Sequence, residues 1–225
     1  MTEKVDFDQY TDNYNELLRE GTKFFSASEE YFAKYKIELV RRDATFPVKR
    51  ILEYGCGIGR NIAYLKTAFP GAEIMGTDIS EASLEVARQE NPGVRFETET
   101  DALALGRFDL IFVAGVFHHI APPLRPGVMK VLADRLEPTG ALYIFEHNPY
   151  NPVTRRIVNN CPYDADAVLV KPRELLGLMA GATLKPEGRS YCLFVPPKLS
   201  LLRPLENVLG WFPLGGQYWA KARAT

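Results

Sequence analysis

The segment ILEYGCGIGRN, residues 51–61, passes from an apolar strand pattern through three alternating glycines into the start of a helix pattern. Glycine is favoured where the backbone turns tightly and approaches a ligand closely. The helix that follows offers free N–H groups and the positive end of its dipole. Because ligands bind at such strand ends in open α/β sheets, we predict a ligand site beside Gly55 and Gly57.

Short apolar strands alternate with amphipathic helices on both sides of this turn. We predict strands at residues 49–54, 73–77, 94–97, 108–114, 141–145, 189–195 and 217–223, and helices at 59–69, 80–90, 126–136, 154–159 and 173–179. This alternation implies a parallel sheet with right-handed crossovers. Since only an insertion at residues 199–211 separates the last two strands, we expect an antiparallel edge strand. The predicted fold is a doubly wound α/β sheet of about seven strands.

The chain of 225 residues has the size of one domain. Within this single domain, residues 1–46 read as helical and residues 48–145 carry the strand–helix pattern around the glycines. Residues 146–225 complete the sheet and are expected to face a substrate.

Charge and cysteine content narrow the class of protein. The 27 Lys and Arg residues balance 28 Asp and Glu residues, a net charge of −1, so no overall attraction to nucleic acid is expected. The polar, acidic start does not resemble a secretory signal, and no apolar run approaches the roughly 20 residues that span a bilayer. Three scattered cysteines predict reduced thiols in a cytoplasmic protein.

The glycine spacing distinguishes between two kinds of nucleotide site. A dinucleotide site reads G-x-G-x-x-G, whereas here the third glycine comes one residue early and Glu53 precedes Gly55 by two positions. This form resembles motif I of the class I S-adenosylmethionine (SAM) dependent methyltransferases, in which the acidic residue interacts with the amino acid end of SAM. A carboxylate at Glu53 would repel a pyrophosphate and attract the ammonium of SAM. The charge therefore favours SAM over NAD.

Three further elements extend the resemblance over residues 48–145. Asp78 lies 23 residues after Gly55, close to the spacing of a ribose-binding acid, and residues 99–103 and 107–120 resemble the third- and fourth-strand motifs of small-molecule enzymes similar to the ubiquinone- and menaquinone-biosynthesis C-methylases. The resemblance implies a Rossmann-like fold that binds SAM and releases S-adenosylhomocysteine. The cofactor-binding residues that we expect are Glu53, Gly55, Cys56, Gly57, Asn61, Asp78, Ile79, Asp101, Ala102 and Ala114. By contrast, Asp109 is expected to orient its strand and not to touch a ligand.

All three histidines, His118, His119 and His147, follow predicted strands on the carboxyl side, where ligands bind. A neutral imidazole accepts a proton from a hydroxyl or amine nucleophile; the alternative is that the histidines hydrogen-bond the loops around SAM. Their spacing with Glu146 matches no standard metal motif, and Ala114 stands where metal-dependent O-methyltransferases carry a carboxylate. We therefore predict catalytic histidines and no metal.

The segment HNPY, residues 147–150, resembles the N/D-P-P-Y motif of N-methyltransferases, but it follows the fifth predicted strand and has one proline fewer. We interpret it as a turn that leads into a helix begun by Asn151 and Pro152.

Substrate selection is assigned to parts outside the SAM-binding core. Tyr10 and Tyr14 lie in amino-terminal helices that close over the pocket in related methyltransferases, although aromatics at helical spacing also suit a core. Tyr150 and Arg155 are further candidates, and Arg155 fits either an anion clamp or a solvated helix face. The insertion at residues 199–211 is expected to pack on the sheet, with a pocket wall, a dimer contact and a membrane contact as alternatives.

The sequence therefore predicts a methyltransferase that acts on a small molecule, such as a lipid- or sugar-linked metabolite, as a monomer or homodimer. An RNA or protein methyltransferase is one alternative, although no nucleic-acid-binding motif or basic composition is visible. A SAM-binding regulator without catalysis and a SAM-fold enzyme of other chemistry, such as aminopropyl transfer, are the others.

Overall fold

The computed structural model describes residues 29–99, 106–196, 201–202 and 204–225. Four predicted site residues, Tyr10, Tyr14, Asp101 and Ala102, lie outside these ranges.

Within the described ranges, strands and helices alternate as the sequence predicts. The strands are β1 (Arg50–Tyr54), β2 (Glu73–Asp78), β3 (Arg95–Thr98), β4 (Phe108–Ala114), β5 (Leu136–His147), β6 (Leu184–Cys192) and β7 (Gln217–Ala224). The α-helices are α1 (Glu29–Asp43), α2 (Ile62–Ala68), α3 (Glu81–Glu90), α4 (Arg125–Asp134), α5 (Pro152–Asn160), α6 (Pro172–Gly181) and the short α7 (Glu206–Leu209).

The seven strands form one sheet in the order β3-β2-β1-β4-β5-β7-β6. Strands β1 to β5 are parallel, and β7 is antiparallel to both β5 and β6. The predicted mixed, doubly wound sheet is confirmed, but the edge position of the antiparallel strand is wrong. Strand β7 inserts between β5 and β6, and β6 forms the edge.

The boundaries of β6 differ most from the prediction, since this strand begins at Leu184 and not at residue 189. Its first half is largely exposed and therefore lacks an apolar pattern. Glu187 instead forms ion pairs with Lys221 and Arg223 of β7, each at 3.0 Å. Cross-strand ion pairs between polar side chains hold this half of the strand, and a search for apolar runs misses them.

Two hydrophobic clusters cover the two faces of the sheet. One cluster packs α1, α2 and α3 against residues such as Leu110 and Phe112 of β4. The other packs α4 and α6 against Ile111 and Val113 of the same strand. Because neighbouring residues of a strand point to opposite faces, this nearly continuous apolar strand is buried on both sides. The carboxyl ends of β1, β2, β4 and β5 meet at one edge.

The described part of the insertion does not pack its apolar side chains on the sheet, so the preferred interpretation of this segment is wrong there. Leu201 is 94% exposed and Trp211 is 75% exposed. Polar contacts attach α7 instead, because the carboxylate of Glu206 accepts hydrogen bonds from the backbone of Leu193 and Val195. Across the ranges described, no helix combines the length and the apolar character needed to cross a bilayer.

Candidate functional site

The glycine turn after β1 is tied to the neighbouring strand. The backbone N–H groups of Gly55 and Cys56 both donate to the carbonyl oxygen of Thr77, at 2.8 and 2.9 Å. Gly55 and Gly57 have φ angles of 70° and 53°, which side-chain-bearing residues rarely adopt. A Cβ atom on Gly55 would lie 2.3 Å from the Val116 side chain, whereas one on Gly57 would meet nothing within 4 Å. Gly57 therefore faces open space that a ligand can enter.

The half-buried Asp78 ends β2 beside this space. Its Oδ2 accepts a hydrogen bond from the Gly57 N–H at 2.7 Å, and its Oδ1 accepts one from the Ser80 N–H at 3.0 Å. The Ser80 side chain also caps α3. These bonds fix the carboxylate at the sheet edge, where the predicted ribose contact requires it.

Glu53 is only 1% exposed, although it is acidic. Its Oε1 accepts a hydrogen bond from Asn61 Nδ2 at 2.5 Å, and its Oε2 is buried with no partner among the described residues. Burial raises the pKa of Glu53 to about 8, although the Asn61 hydrogen bond and the charge of Lys36 act in the opposite direction. Because buried polar groups are normally paired, the free oxygen marks a position for a bound donor.

The other predicted cofactor residues in the described ranges differ in their exposure. Ile79 is 52% exposed directly after β2, and Ala114 is half-buried at the end of β4, so both are accessible at the expected edge. Cys56 is buried, and its thiol lies against Gly76. The side chain of Cys56 thus belongs to the core, and its predicted contact with the cofactor finds no support.

Lys36 is a charged group of the site that sequence reasoning missed. Burial lowers the pKa of this half-buried lysine, and the nearby Cys192, Glu53 and Glu146 oppose that shift. The ammonium group of Lys36, on α1, is therefore close enough to interact electrostatically with Glu53 of β1 and Glu146 of β5. A lysine on an amphipathic helix normally faces solvent, so its spacing gave no signal of this position.

The three histidines lie together at the same edge of the sheet. The ring centroid of His118 is 4.1 Å from that of His119 and 4.9 Å from that of His147. His118 and His119 belong to a 3-10 turn, Phe117–His119, that follows β4, whereas His147 ends β5. The shared region predicted from their sequence positions is therefore present.

Two carboxylates hold His118. Its Nδ1 lies 2.7 Å from Glu146 Oε2, and its Nε2 lies 3.5 Å from Asp164 Oδ1. The other oxygen of Glu146 accepts hydrogen bonds from the backbone N–H groups of Val116 and Phe117, at 3.1 and 2.8 Å. The loop after β4 is thus anchored on the fully buried Glu146.

Charge distinguishes the histidines. Burial alone would lower the pKa of His118, but Glu146 and Asp164 raise it to about 9, so this ring is cationic at neutral pH. Burial and then the charge of His118 lower the pKa of His147 to about 4, and the same two causes lower that of His119. His118 therefore suits a positioning role better than proton removal, while His119 and His147 are neutral and able to accept a proton.

Asp164 and Gln217 also belong to this region and were missed. Asp164 lies in a 3-10 turn far from the histidines in sequence, and its Oδ1 is 3.4 Å from His119 Nε2. Gln217 pairs with His147 in the sheet, and its Oε1 is buried with no partner among the described residues. Neither position has a local motif, because only the turn after α5 and the placement of β7 bring them here.

The predicted substrate residues Tyr150 and Arg155 lie on the surface. Tyr150 is exposed directly after β5, and Arg155 borders an open groove of about 430 Å³ on the outer face of α5. The interpretation of HNPY as a turn is confirmed, because the Asn151 side chain caps α5 by accepting from the N–H groups of Val153 and Thr154. The structural role of Asp109 is also confirmed, since its Oδ2 accepts backbone hydrogen bonds at the start of β1.

Comparison with known proteins gives consistent results. A family model described as a methyltransferase domain matches residues 52–142. A ubiquinone biosynthesis O-methyltransferase from Ruegeria pomeroyi is 31% identical over 165 residues, which cover 65% of this chain and 64% of that relative. A trans-aconitate 2-methyltransferase from Deinococcus radiodurans is 32% identical over 99 residues, or 44% of this chain and 38% of that protein.

The solved structure of a TehB-like SAM-dependent methyltransferase from Corynebacterium glutamicum shares the fold. It has a TM-score of 0.65 at 18% identity and covers 96% of this chain and 99% of its own. The chain spans less than half the length of several curated relatives that it matches, among them the Deinococcus protein. Residues 52–142 thus match a methyltransferase domain, and the fold of the chain is similar to that of a solved SAM-dependent methyltransferase.

Proposed function

We propose that this protein binds SAM and transfers its methyl group to a small-molecule acceptor, with S-adenosylhomocysteine as the second product. The observation that carries this proposal is the buried, unpaired Oε2 of Glu53 beside the glycine turn. A bound ammonium group would supply the missing donor and the opposite charge. A pyrophosphate offers neither a hydrogen-bond donor nor a positive charge, so it would leave this oxygen unpaired, which argues against a dinucleotide.

The residues present fit SAM at each of its parts. Glu53 would accept hydrogen bonds from the ammonium group, and Asn61 orients that carboxylate through its bond to Oε1. Asp78 would accept from the ribose hydroxyls, and the exposed Ile79 offers an apolar contact for the adenine. Gly57 leaves the space that the ligand needs. When bound, SAM supplies an electrophilic methyl group on a positively charged sulfur.

The acceptor would bind near the ends of β4 and β5. There His147 offers a neutral imidazole, and Gln217 offers an amide oxygen that has no partner among the described residues. Either group is suited to orient a hydroxyl or amine nucleophile, and His147 is able to take up its proton. Holding the nucleophile in line with the methyl group supplies much of the rate, so the chain needs few catalytic groups.

His118 would act as a positioning residue. Glu146 binds both His118 and the backbone of the loop after β4, so the pair fixes this loop at the sheet edge where the acceptor would bind. A charge-assisted hydrogen bond of this kind, excluded from water, holds a loop in one geometry. We also infer a cytoplasmic enzyme, a monomer or homodimer, and the three unpaired cysteines are consistent with that compartment.

An acceptor screen with methyl-labelled SAM tests the proposed activity. Pools of hydroxylated aromatics, quinols, carboxylic acids and amines are compared with total RNA and a protein lysate. We expect label in at least one small-molecule pool with the wild-type chain and loss of that label with Asp78→Ala. Label only in RNA or protein would support those alternatives, and SAM binding with no transfer to any pool would instead indicate a regulator.

A further inference from the structure

Three side chains at the acceptor side come close enough to share one ion. Ligand atoms of His118, His147 and Asp164 all lie within 4.8 Å of one another. We propose that these residues bind one divalent transition-metal ion, which holds an oxygen atom of the acceptor; the second half of this inference rests on the proposed methyl transfer. The expectation that the chain has no metal came from the spacing of the histidines with Glu146 and from Ala114 at the end of β4, and it did not include Asp164.

The distances around Asp164 are longer than ordinary hydrogen bonds and fall in the range of ion pairs and of neighbouring metal ligands. Its Oδ1 is 3.5 Å from His118 Nε2 and 3.4 Å from His119 Nε2, whereas N–H···O hydrogen bonds in proteins span roughly 2.7–3.2 Å. Two ligands bound to a tetrahedral ion, each at about 2.1 Å, are separated by about 3.4 Å. The oxygen therefore stands at the separation expected between neighbouring metal ligands.

His118 is oriented as a metal-binding histidine normally is. Its Nδ1 is occupied by Glu146 Oε2 at 2.7 Å, so Nε2 is the nitrogen that faces Asp164, and a bound ion would replace the proton that Nε2 carries in the cationic ring. Metal-ligating histidines almost always donate the other ring N–H to a carboxylate or carbonyl, which fixes the ring and its tautomer. Glu146 is itself held by the backbone N–H of Phe117 at 2.8 Å. The second shell of the site is thus already built.

His147 supplies the third ligand from a different strand. Neither of its ring nitrogens has a hydrogen bond or ion pair with a described residue, although the ring lies 4.9 Å from that of His118. Because this ring is only half-buried and one of its nitrogens lies within 4.8 Å of the other two ligand atoms, His147 is placed to complete the set. His119 touches Asp164 but lies outside the group of three.

The donor set selects the class of ion. Mg²⁺ and Ca²⁺ prefer oxygen ligands, whereas two imidazoles with one carboxylate suit Zn²⁺, Fe²⁺ or Co²⁺. Three protein ligands leave at least one position open, as in catalytic metal sites. A hydroxyl acceptor bound there would lose its proton to water more readily, so His147 would then act as a ligand of the ion and not as the proton acceptor. Its oxygen would then form the bond to the methyl carbon, while the carbon–sulfur bond breaks and its electron pair stays on sulfur.

Metal titration of the full chain without an affinity tag tests the site. Protein is incubated with Zn²⁺ or Co²⁺ alone, freed of unbound metal, and analysed for metal content and for the visible absorption of bound Co²⁺. We expect one ion per chain, with affinity at least tenfold weaker in both Asp164→Asn and His147→Ala. The matched control is Cys161→Ser, which removes a half-buried thiol three residues from Asp164 and should keep full binding.

Absence of stoichiometric metal in the wild type would overturn the proposal. An affinity for the metal equal to that of the wild type in both Asp164→Asn and His147→Ala would overturn it as well, and so would loss of the metal in Cys161→Ser. Thermal unfolding of each variant shows whether it is folded. Because there are two independent ligand variants, the test still holds if one of them fails to fold. S-adenosylhomocysteine binding, measured on the same samples, separates the two proposals: intact binding without metal removes only the metal site, and absent binding removes the methyl transfer.

Discussion

Replacement of Glu53 by glutamine tests two predicted effects of this residue separately. Glu53 is expected to destabilise the unliganded fold and to strengthen ligand binding. Glutamine keeps the size of the side chain and an oxygen that accepts from Asn61, but it cannot ionise. The buried carboxyl of Glu53 has a pKa of about 8, compared with 4.5 for an ordinary glutamate. The folded state therefore retains a proton that the unfolded chain has lost at neutral pH.

The sign of the stability effect follows from this raised pKa. Below the pKa of an ordinary glutamate, Glu53 is protonated in both the folded and the unfolded state, so its burial carries no ionisation penalty. As pH rises towards 8, this penalty makes the folded state less favourable relative to the unfolded state. At pH 7 the penalty is about 3 kcal/mol. We expect unliganded Glu53→Gln to unfold at a higher temperature than the wild type, by a margin that grows between pH 5 and pH 8.

The same substitution should weaken ligand binding. An ammonium group paired with Glu53 at about 4 Å gains about 4 kcal/mol at an effective dielectric constant of 20. Ionising Glu53 at pH 7 costs about 1.4 kcal/mol of this, because its pKa lies about one unit higher. The net loss in Glu53→Gln is about 2–3 kcal/mol, or a roughly 30- to 150-fold weaker affinity.

Calorimetric titration with S-adenosylhomocysteine at several pH values measures the binding effect. Wild-type affinity should rise from pH 6 to pH 8, with release of a proton on binding, and the variant should show neither. The control is Glu97→Gln on the exposed part of β3, where Glu97 pairs with Arg95. Unchanged affinity and an unchanged pH profile in Glu53→Gln would refute the proposed role of this carboxylate.

Three further substitutions test other parts of the site. Asp78→Ala should weaken S-adenosylhomocysteine binding at least tenfold by calorimetry while circular dichroism stays native; equal affinity would refute the ribose contact. Lys36→Met should move the pH midpoint of binding upward, because the lysine charge lowers the pKa of Glu53; a downward shift in the titration would contradict this. Glu146→Gln should lower the free energy of unfolding by about 2–4 kcal/mol, because it removes the nearer of the two carboxylates that pair with the buried His118 charge; denaturant curves that coincide with wild type would count against this anchor.

The geometry at the ends of β1 and β2, where we propose the cofactor site, could be predicted because its signals are local. The positive φ angles of Gly55 and Gly57 correspond directly to residues that adopt them without strain. Asp78 is fixed by the strand that precedes it and by the turn that follows. An alternating pattern over residues 48–145 was also sufficient for the order of strands and helices, although α2 begins only at Ile62, after the glycine turn ends.

The presence of Asp164 and Gln217 beside the histidines could not be predicted, because distant chain segments bring them there. Asp164 reaches the histidines through the turn after α5, and β7 places Gln217 opposite His147. Composition indicates neither contact. Lys36 was missed for a related reason, since a helical lysine signals a solvated face unless the neighbouring strands are known.

We propose that the open space beside Gly57 accepts a sulfonium nucleoside through Glu53 and Asp78. Isothermal titration of the wild-type chain with SAM, S-adenosylhomocysteine and NAD addresses it most directly. We predict saturable one-to-one binding of the first two ligands and no measurable heat with NAD. Saturable binding of NAD, together with no binding of SAM or its demethylated product, would contradict that claim.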